Sequence, residues 1–165
     1  MMRIATTIRS ALAIGALAGG TLAAGTTTAA ADPLPIGTFK IQTNSLECAA
    51  VAGANPPYFA AVENCGTVNL DQQFTYNLLT KQIASVGRLG YCLNANITGL
   101  NVTACDANSA LQRFESQPRS SGRSTISIDF PSFGRYYLSD EGPSIQVTPS
   151  NQGIADKNYF RFPLI

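Results

Sequence analysis

The strongest constraint on this chain is a spacing that it repeats. Cys65 stands nine residues before Phe74, in Gln72-Gln73-Phe74, and Cys105 stands nine residues before Phe114, in Gln112-Arg113-Phe114. A third copy ends in Asn158-Tyr159-Phe160, with Ser150 where a third cysteine would fall. Val62, Val102 and Val147 each precede these landmarks by three residues, and Ala60, Leu100 and Ile145 lie two residues earlier still. That alternation belongs to a half-buried strand. Further back, Cys48, Cys92 and Tyr137 correspond, and Phe39, Ile83 and Ile128 lie nine residues before them. The closing phenylalanines are separated by 40 and then 46 residues. A unit of this length cannot bury its apolar face alone, so copies must stack or close on one another.

Each copy reads as strand and turn. Phe39-Lys40-Ile41, Phe59 to Val62, Leu100 to Val102, Ile126 to Ile128 and Ile145 to Val147 are short apolar runs set among Gly, Pro, Asn and Ser. Such runs predict an all-β barrel or sandwich. Beyond Asp32 no helical period is sustained, apart from one turn expected near Asn108–Gln112. Four strands per copy give twelve, and a threefold arrangement of such units is a β-trefoil, a short closed barrel with a hairpin cap. The three repeats fall at about 36–79, 80–119 and 120–165. Phe74, Phe114 and Phe160 are expected to meet near the pseudo-threefold axis as core residues.

Residues 1–31 have the form of a secretory signal peptide: Arg3 and Arg9, an apolar stretch from Ala11 to Leu22, and Ala29-Ala30-Ala31 before Asp32. The expected mature domain is 32–165, secreted and extracellular. Of eleven Lys and Arg and ten Asp and Glu, only Arg3 and Arg9 fall in the leader, so the remainder carries a net charge of about −1. That balance gives no long-range attraction for nucleic acid or an anionic membrane, and neither is expected as a partner. Four cysteines in an exported chain read as two disulfides. The repeat selects Cys48–Cys65 and Cys92–Cys105, each inside its own copy. There is no histidine, so a Ser-His-Asp or Cys-His arrangement cannot be built. No acid recurs at one position of the three copies, and no metal-ligand or phosphate-loop pattern is present. The expectation is a protein without enzymatic activity, cofactor or metal.

These residues resemble the ricin B-type β-trefoil lectins. The Gln-x-aromatic motif that ends each copy of that family is similar to Gln72-Gln73-Phe74 and Gln112-Arg113-Phe114, degrading to Asn158-Tyr159-Phe160. The pairs Cys48–Cys65 and Cys92–Cys105 look like the family's disulfide within a copy, and Tyr91-Cys92-Leu93-Asn94 is similar to the stretch around its first cysteine. The resemblance covers about 36–165. It implies a sugar held by an Asp two residues after the first cysteine, a ring stacked just before the second, and an Asn or Asp beside the motif Gln.

Here the chain departs from the family. The acid position holds Ala50, Asn94 and Ser139, and the stacking position holds Glu63, Thr103 and Thr148; only Asp71-Gln72 keeps the supporting pair. Two partial sites remain as candidates for carbohydrate: Asn94, Asn101 and Thr103 in copy two, and Ser139, Asp140 and Gln146 in copy three. Amides and hydroxyls both donate and accept, as sugar hydroxyls require. Tyr58 and Phe59, behind Pro56-Pro57, are the rings expected at the surface. The function implied is a secreted lectin-like module with degenerate sites, its partner a glycan or polysaccharide. The alternative is a trefoil that binds a protein, such as a protease, through the 52–58 loop. Asn96-Ile97-Thr98 and Asn101-Val102-Thr103 both fit the N-glycosylation pattern.

Overall fold

A computed structural model describes residues 34–119 and 122–165. The signal peptide expected at 1–31 lies outside them. The described chain is all-β, with 3-10 turns and no α-helix among these residues.

The strands run β1 (Thr38–Phe39), β2 (Glu47–Ala52), β3 (Tyr58–Asn64), β4 (Phe74–Asn77), β5 (Gln82–Ser85) and β6 (Tyr91–Asn96). They continue through β7 (Gly99–Ala104), β8 (Phe114–Pro118), β9 (Ser124–Phe130), β10 (Gly134–Asp140) and β11 (Ile145–Pro149). Each copy follows one plan. A barrel strand leads into an antiparallel hairpin (β2–β3, β6–β7, β10–β11), then a 3-10 turn, then a strand carrying the motif phenylalanine. The turns are Leu70–Gln72, Ala110–Gln112 and Asp156–Asn158. The turn anticipated near 108–112 is thus Ala110–Gln112, an element that recurs in every copy.

Eleven strands appear where twelve were expected. The twelfth is the C-terminal stretch 160–164, which pairs through single bridges, Phe160 with Ser124, Arg161 with Gln42 and Leu164 with Phe39. Pro163 lacks an N–H and so breaks any continuous ladder there. These bridges still close the barrel: Phe160 and Ser124 exchange both backbone bonds at 2.9 Å, and the Lys40 N–H donates to the Pro163 carbonyl at 3.0 Å. On the far side the Phe114 N–H donates to the Lys81 carbonyl at 2.8 Å, joining β8 to the residue just before β5. No edge is left in the ring.

One core fills it. Phe39, Phe74, Phe114 and Phe160 are all wholly buried in a single cluster with Ile83, Ile126, Ile128, Leu93 and Leu138. The alternating positions read from the repeat, Ala60, Leu100 and Ile145, all lie in this cluster, as do Phe39, Ile83 and Ile128. Phe162 sets its ring edge-on to Phe39, at 5.8 Å between centroids. Both disulfides form as the repeat predicted, Cys48–Cys65 and Cys92–Cys105, each tying the start of a hairpin to its end. Closing loops of this size stabilises by about 3 kcal/mol each in the chain-entropy model. Copy three holds Tyr137 and Ser150 in their place and has no bridge.

Removing a motif ring should therefore be severe. Phe114→Ala is expected to cost about 3–5 kcal/mol in chemical denaturation, whereas Leu79→Ala, at a position 95% exposed, should stay within about 0.5 kcal/mol of the parent.

Candidate functional site

The motif amides are not free for a ligand. Gln72 and Gln112 are buried, and each bonds the backbone on both sides of the second cysteine of its copy. Gln72 Oε1 accepts from the Gly66 N–H at 2.7 Å, while its Nε2 donates to the Asn64 carbonyl at 2.8 Å. Gln112 does the same with Asp106 N–H and the Ala104 carbonyl, both at 2.8 Å. Its Nε2 also donates to Thr103 Oγ1 at 2.9 Å, and its Oε1 accepts from buried Gln82 at 2.7 Å. Asn158 is one methylene shorter and finds other partners. It accepts from the Ala155 N–H at 2.9 Å and donates to the Leu138 carbonyl at 3.0 Å and Thr148 Oγ1 at 3.1 Å. The supporting role that the resemblance gives this Gln is structural here.

In copy two the candidate residues come together. β6 and β7 pair in register, with Asn94 opposite Asn101 and Cys92 opposite Thr103. Alternation along a strand puts these four side chains on one face, away from Leu93, Ala95, Leu100 and Val102 in the core. Asn94 Nδ2 donates to Asn101 Oδ1 at 2.9 Å. That bond leaves one N–H and the carbonyl of Asn94, and both N–H donors of Asn101, without a protein partner among the described residues. Both side chains are half-buried. Thr103 is tied to Gln112 as acceptor and keeps its own O–H.

Copy three separates its candidates. Ser139 and Gln146 are opposed across β10 and β11, but Ser139 is wholly buried and donates to Glu141 Oε1 at 2.7 Å, while Gln146 is exposed. Asp140 points to the other face. Its Oδ1 accepts from the Gly142 N–H at 3.1 Å, closing the turn, and its Oδ2 accepts from Ser45 Oγ of copy one at 2.9 Å. Glu141, which was not among the candidate residues, is the carboxylate beside Ser139. It pairs with Lys157 at 2.5 Å, and that bond first, then the one from Ser139, holds its carboxyl below the ordinary value of 4.5.

In copy one Asp71 forms an ion pair with Arg88 at 3.2 Å. The Arg88 guanidinium lies over the Tyr58 ring, 5.3 Å from its centroid, and Tyr58 meets Tyr91 edge-on at 5.1 Å. Gly87 sits so close behind Asp71 that a Cβ there would fall 2.9 Å from the Leu70 carbonyl oxygen. Tyr58 is thus half-buried and braced, while Phe59 is 53% exposed. Of the two rings expected at the surface, Phe59 is the one that reaches it.

Two clefts of about 340 and 550 Å³ lie beside the disulfides, one lined by Lys40, Gln42 and Thr67, the other by Ile36, Tyr76 and Gln82. The candidate residues line neither and stand on the open hairpin faces. A charged cluster lies apart on β8–β10. There Arg135 clamps Asp129 at 2.9 and 2.8 Å and reaches Glu115 at 3.2 Å, and Lys81 pairs with the same Glu115. The Arg135 bond, outweighing partial burial, lowers the Asp129 pKa and raises that of Arg135. Among the described residues no group of three or more His, Cys, Asp or Glu is placed to hold a metal.

Comparison with solved structures decides the architecture. The chain superposes on the β-trefoil lectin of the Vibrio vulnificus hemolysin/cytolysin, solved with N-acetyl-D-lactosamine bound, at a TM-score of 0.61 and 22% identity, covering 78% of this chain and 95% of that one. The fold is a β-trefoil. The C-half of an earthworm R-type lectin, in complex with GalNAc, matches with a TM-score of 0.57 and 15% identity over 76% of this chain and 97% of the other. SeviL, bound to the asialo-GM1 saccharide, matches with a TM-score of 0.61 and 11% identity over 79% and 98%. No family model and no curated protein matches the sequence. The trefoil is therefore carried by spacing and core chemistry at low overall identity.

Two outcomes follow from the bonding. Gln112→Ala should cost about 1–3 kcal/mol, because it removes the partner of the buried Gln82 amide and of the part-buried Asp106 N–H and Ala104 carbonyl, and Gln112→Glu, which keeps the acceptor and loses the donor, should restore only part of it; thermal unfolding checks both. Glu141, with its folded pKa lowered, contributes stability that is complete above its unfolded value and is lost as pH falls through the folded one. The parent should accordingly lose more stability than Glu141→Gln between roughly pH 5 and pH 3, read from urea midpoints.

Proposed function

We propose that this protein is a secreted carbohydrate-binding module whose working site is the outer face of the copy-two hairpin. The observation that carries the reading is the cross-strand amide pair Asn94–Asn101, joined at 2.9 Å with donors and acceptors left over and turned away from the core. An N–H beside a carbonyl matches two neighbouring sugar hydroxyls, each of which donates and accepts. Their mutual bond fixes both side chains before a ligand arrives, which lowers the ordering cost of binding. Thr103, held by Gln112, extends the same face with one O–H. In copy three, exposed Gln146 remains for a second, weaker contact. The sugar-bound trefoils among the structural neighbours support a glycan as the class of ligand. The two disulfides and the leader-like sequence at 1–31 support an extracellular setting.

A protein partner is the second reading, favoured by the exposed apolar side chains Leu79, Leu89 and Val68, at 95%, 86% and 84%. Material made in bacteria, free of N-glycans, on a glycan array and in a protease-inhibition panel separates the two. Binding to one or more neutral glycans, reduced to background by Asn101→Ala with the fold intact, is the expected result. Inhibition of a protease without any glycan signal would favour the alternative.

A further inference from the structure

The copy-two face continues past its own hairpin. β3 of copy one pairs with β7 of copy two at two positions, Tyr58 opposite Val102 and Phe59 opposite Asn101. With Asn101 opposite Asn94 and Ala52 opposite Phe59, four residues from two copies stand in one line across the sheet: Ala52, Phe59, Asn101 and Asn94. Residues directly opposite share a face, with Cβ atoms about 4.5–5.5 Å apart. The pattern of burial agrees. Ala60 and Val102, on the inward side, are buried, while Phe59 is 53% exposed and Asn94 and Asn101 are half-buried.

We infer that Phe59 is the stacking ring of this site, supplied by copy one to the amides of copy two, and that the ligand is an uncharged hexopyranose. The inference rests on the glycan-binding reading of Asn94 and Asn101. The ring of Phe59 is bordered along its own strand by Ala61 and across the sheet by Ala52, so nothing bulky from those positions covers it. A pyranose laid on the ring buries its apolar C–H face, and its edge hydroxyls then fall toward the amide pair one strand away. The row contains no charged residue, and Glu63, the nearest acid on the outward side of β3, lies four residues along from Phe59. A carboxylated or sulfated sugar finds no cation in it. The threonine at the expected stacking position of copy two, Thr103, is thereby replaced from a neighbouring repeat. Among the described residues such a site occurs once, because only copy one has the longer 53–57 hairpin loop leading into an aromatic pair.

The test uses the folded, disulfide-bonded protein from a bacterial host and three free saccharides, N-acetyl-D-lactosamine, GalNAc and a sialylated lactosamine. Titration is followed by proton NMR and by calorimetry. For the parent, the neutral sugars should bind and their ring C–H protons move upfield under the aromatic current, while the sialylated sugar binds no better than its neutral part. Phe59→Ala should weaken binding about tenfold and abolish the upfield shift, and Phe59→Trp should restore both. Thermal unfolding of Phe59→Ala near the parent's midpoint shows that the fold is retained. If Phe59→Ala binds like the parent while Asn101→Ala does not, the stacking role is overturned and the amide site stands. If the parent binds no saccharide, the site and the function proposed for it both fall.

Discussion

A buried amide one turn before each motif aromatic is the contact on which the rest depends. In copies one and two the hairpin ends with part-buried backbone groups that no strand satisfies, and leaving such a group unpaired costs up to about 1–3 kcal/mol. Gln72 and Gln112 answer with both ends of one side chain, accepting from the residue after the second cysteine and donating to the residue before it. The 3-10 turn that carries the amide is thereby pinned to the hairpin. Two residues later the chain can point only inward, which is why Phe74 and Phe114 reach the core. Disulfide, amide and ring act at one junction, and copy three keeps the amide and the ring while dispensing with the bridge.

This division of labour explains how the chain holds a trefoil at low identity to sugar-bound relatives in structure. Core positions repeat chemically, as Phe, Leu, Ile and Val, while the outer hairpin faces differ from copy to copy. Copy one presents small residues and an exposed ring, copy two an amide pair, copy three a turn closed by Asp140 and an ion pair of Glu141 with Lys157. Core residues and outward side chains sit on opposite sides of the same strands, so either set can drift without the other. The β3–β7 junction joins the outer faces of copies one and two into one surface.

The scaffold was legible because its signals are local and periodic. Nine-residue offsets predicted which cysteines bond and which phenylalanines are buried, and the recurring turn was anticipated at 108–112. The C-terminal strand was harder to place, since Pro163 reduces it to bridges that only the closed barrel reveals. Leu34 is buried without belonging to the repeat, so periodicity gave no hint of it. At the candidate faces, spacing could bring Asn94 near Asn101 but could not foresee that they bond to each other, nor that β3 aligns Phe59 with them. Asp71 next to Gln72 looked like half of a ligand pair, and the structure gives it to Arg88, a residue 17 positions away. Glu141 was not singled out as a site residue, because the Lys157 that pairs with it, 16 positions away, meets it only in three dimensions. Register between repeats and long-range charge pairing are tertiary facts, and the sequence pattern carries no trace of them.

Amide hydrogen exchange at Gly66, Asp106 and Ala155 tests the central claim most directly. All three lie in loops outside any strand, where exchange is ordinarily fast. Each N–H is here bonded to a motif side chain, at 2.7, 2.8 and 2.9 Å. If those amides hold the copies together, the three should exchange as slowly as core strand amides such as Leu93 and Leu138, opening only with global unfolding. Exchange at the rate of the surrounding loop residues would show that the motif side chains do not fasten the hairpins, and the account of this trefoil would fail at its root.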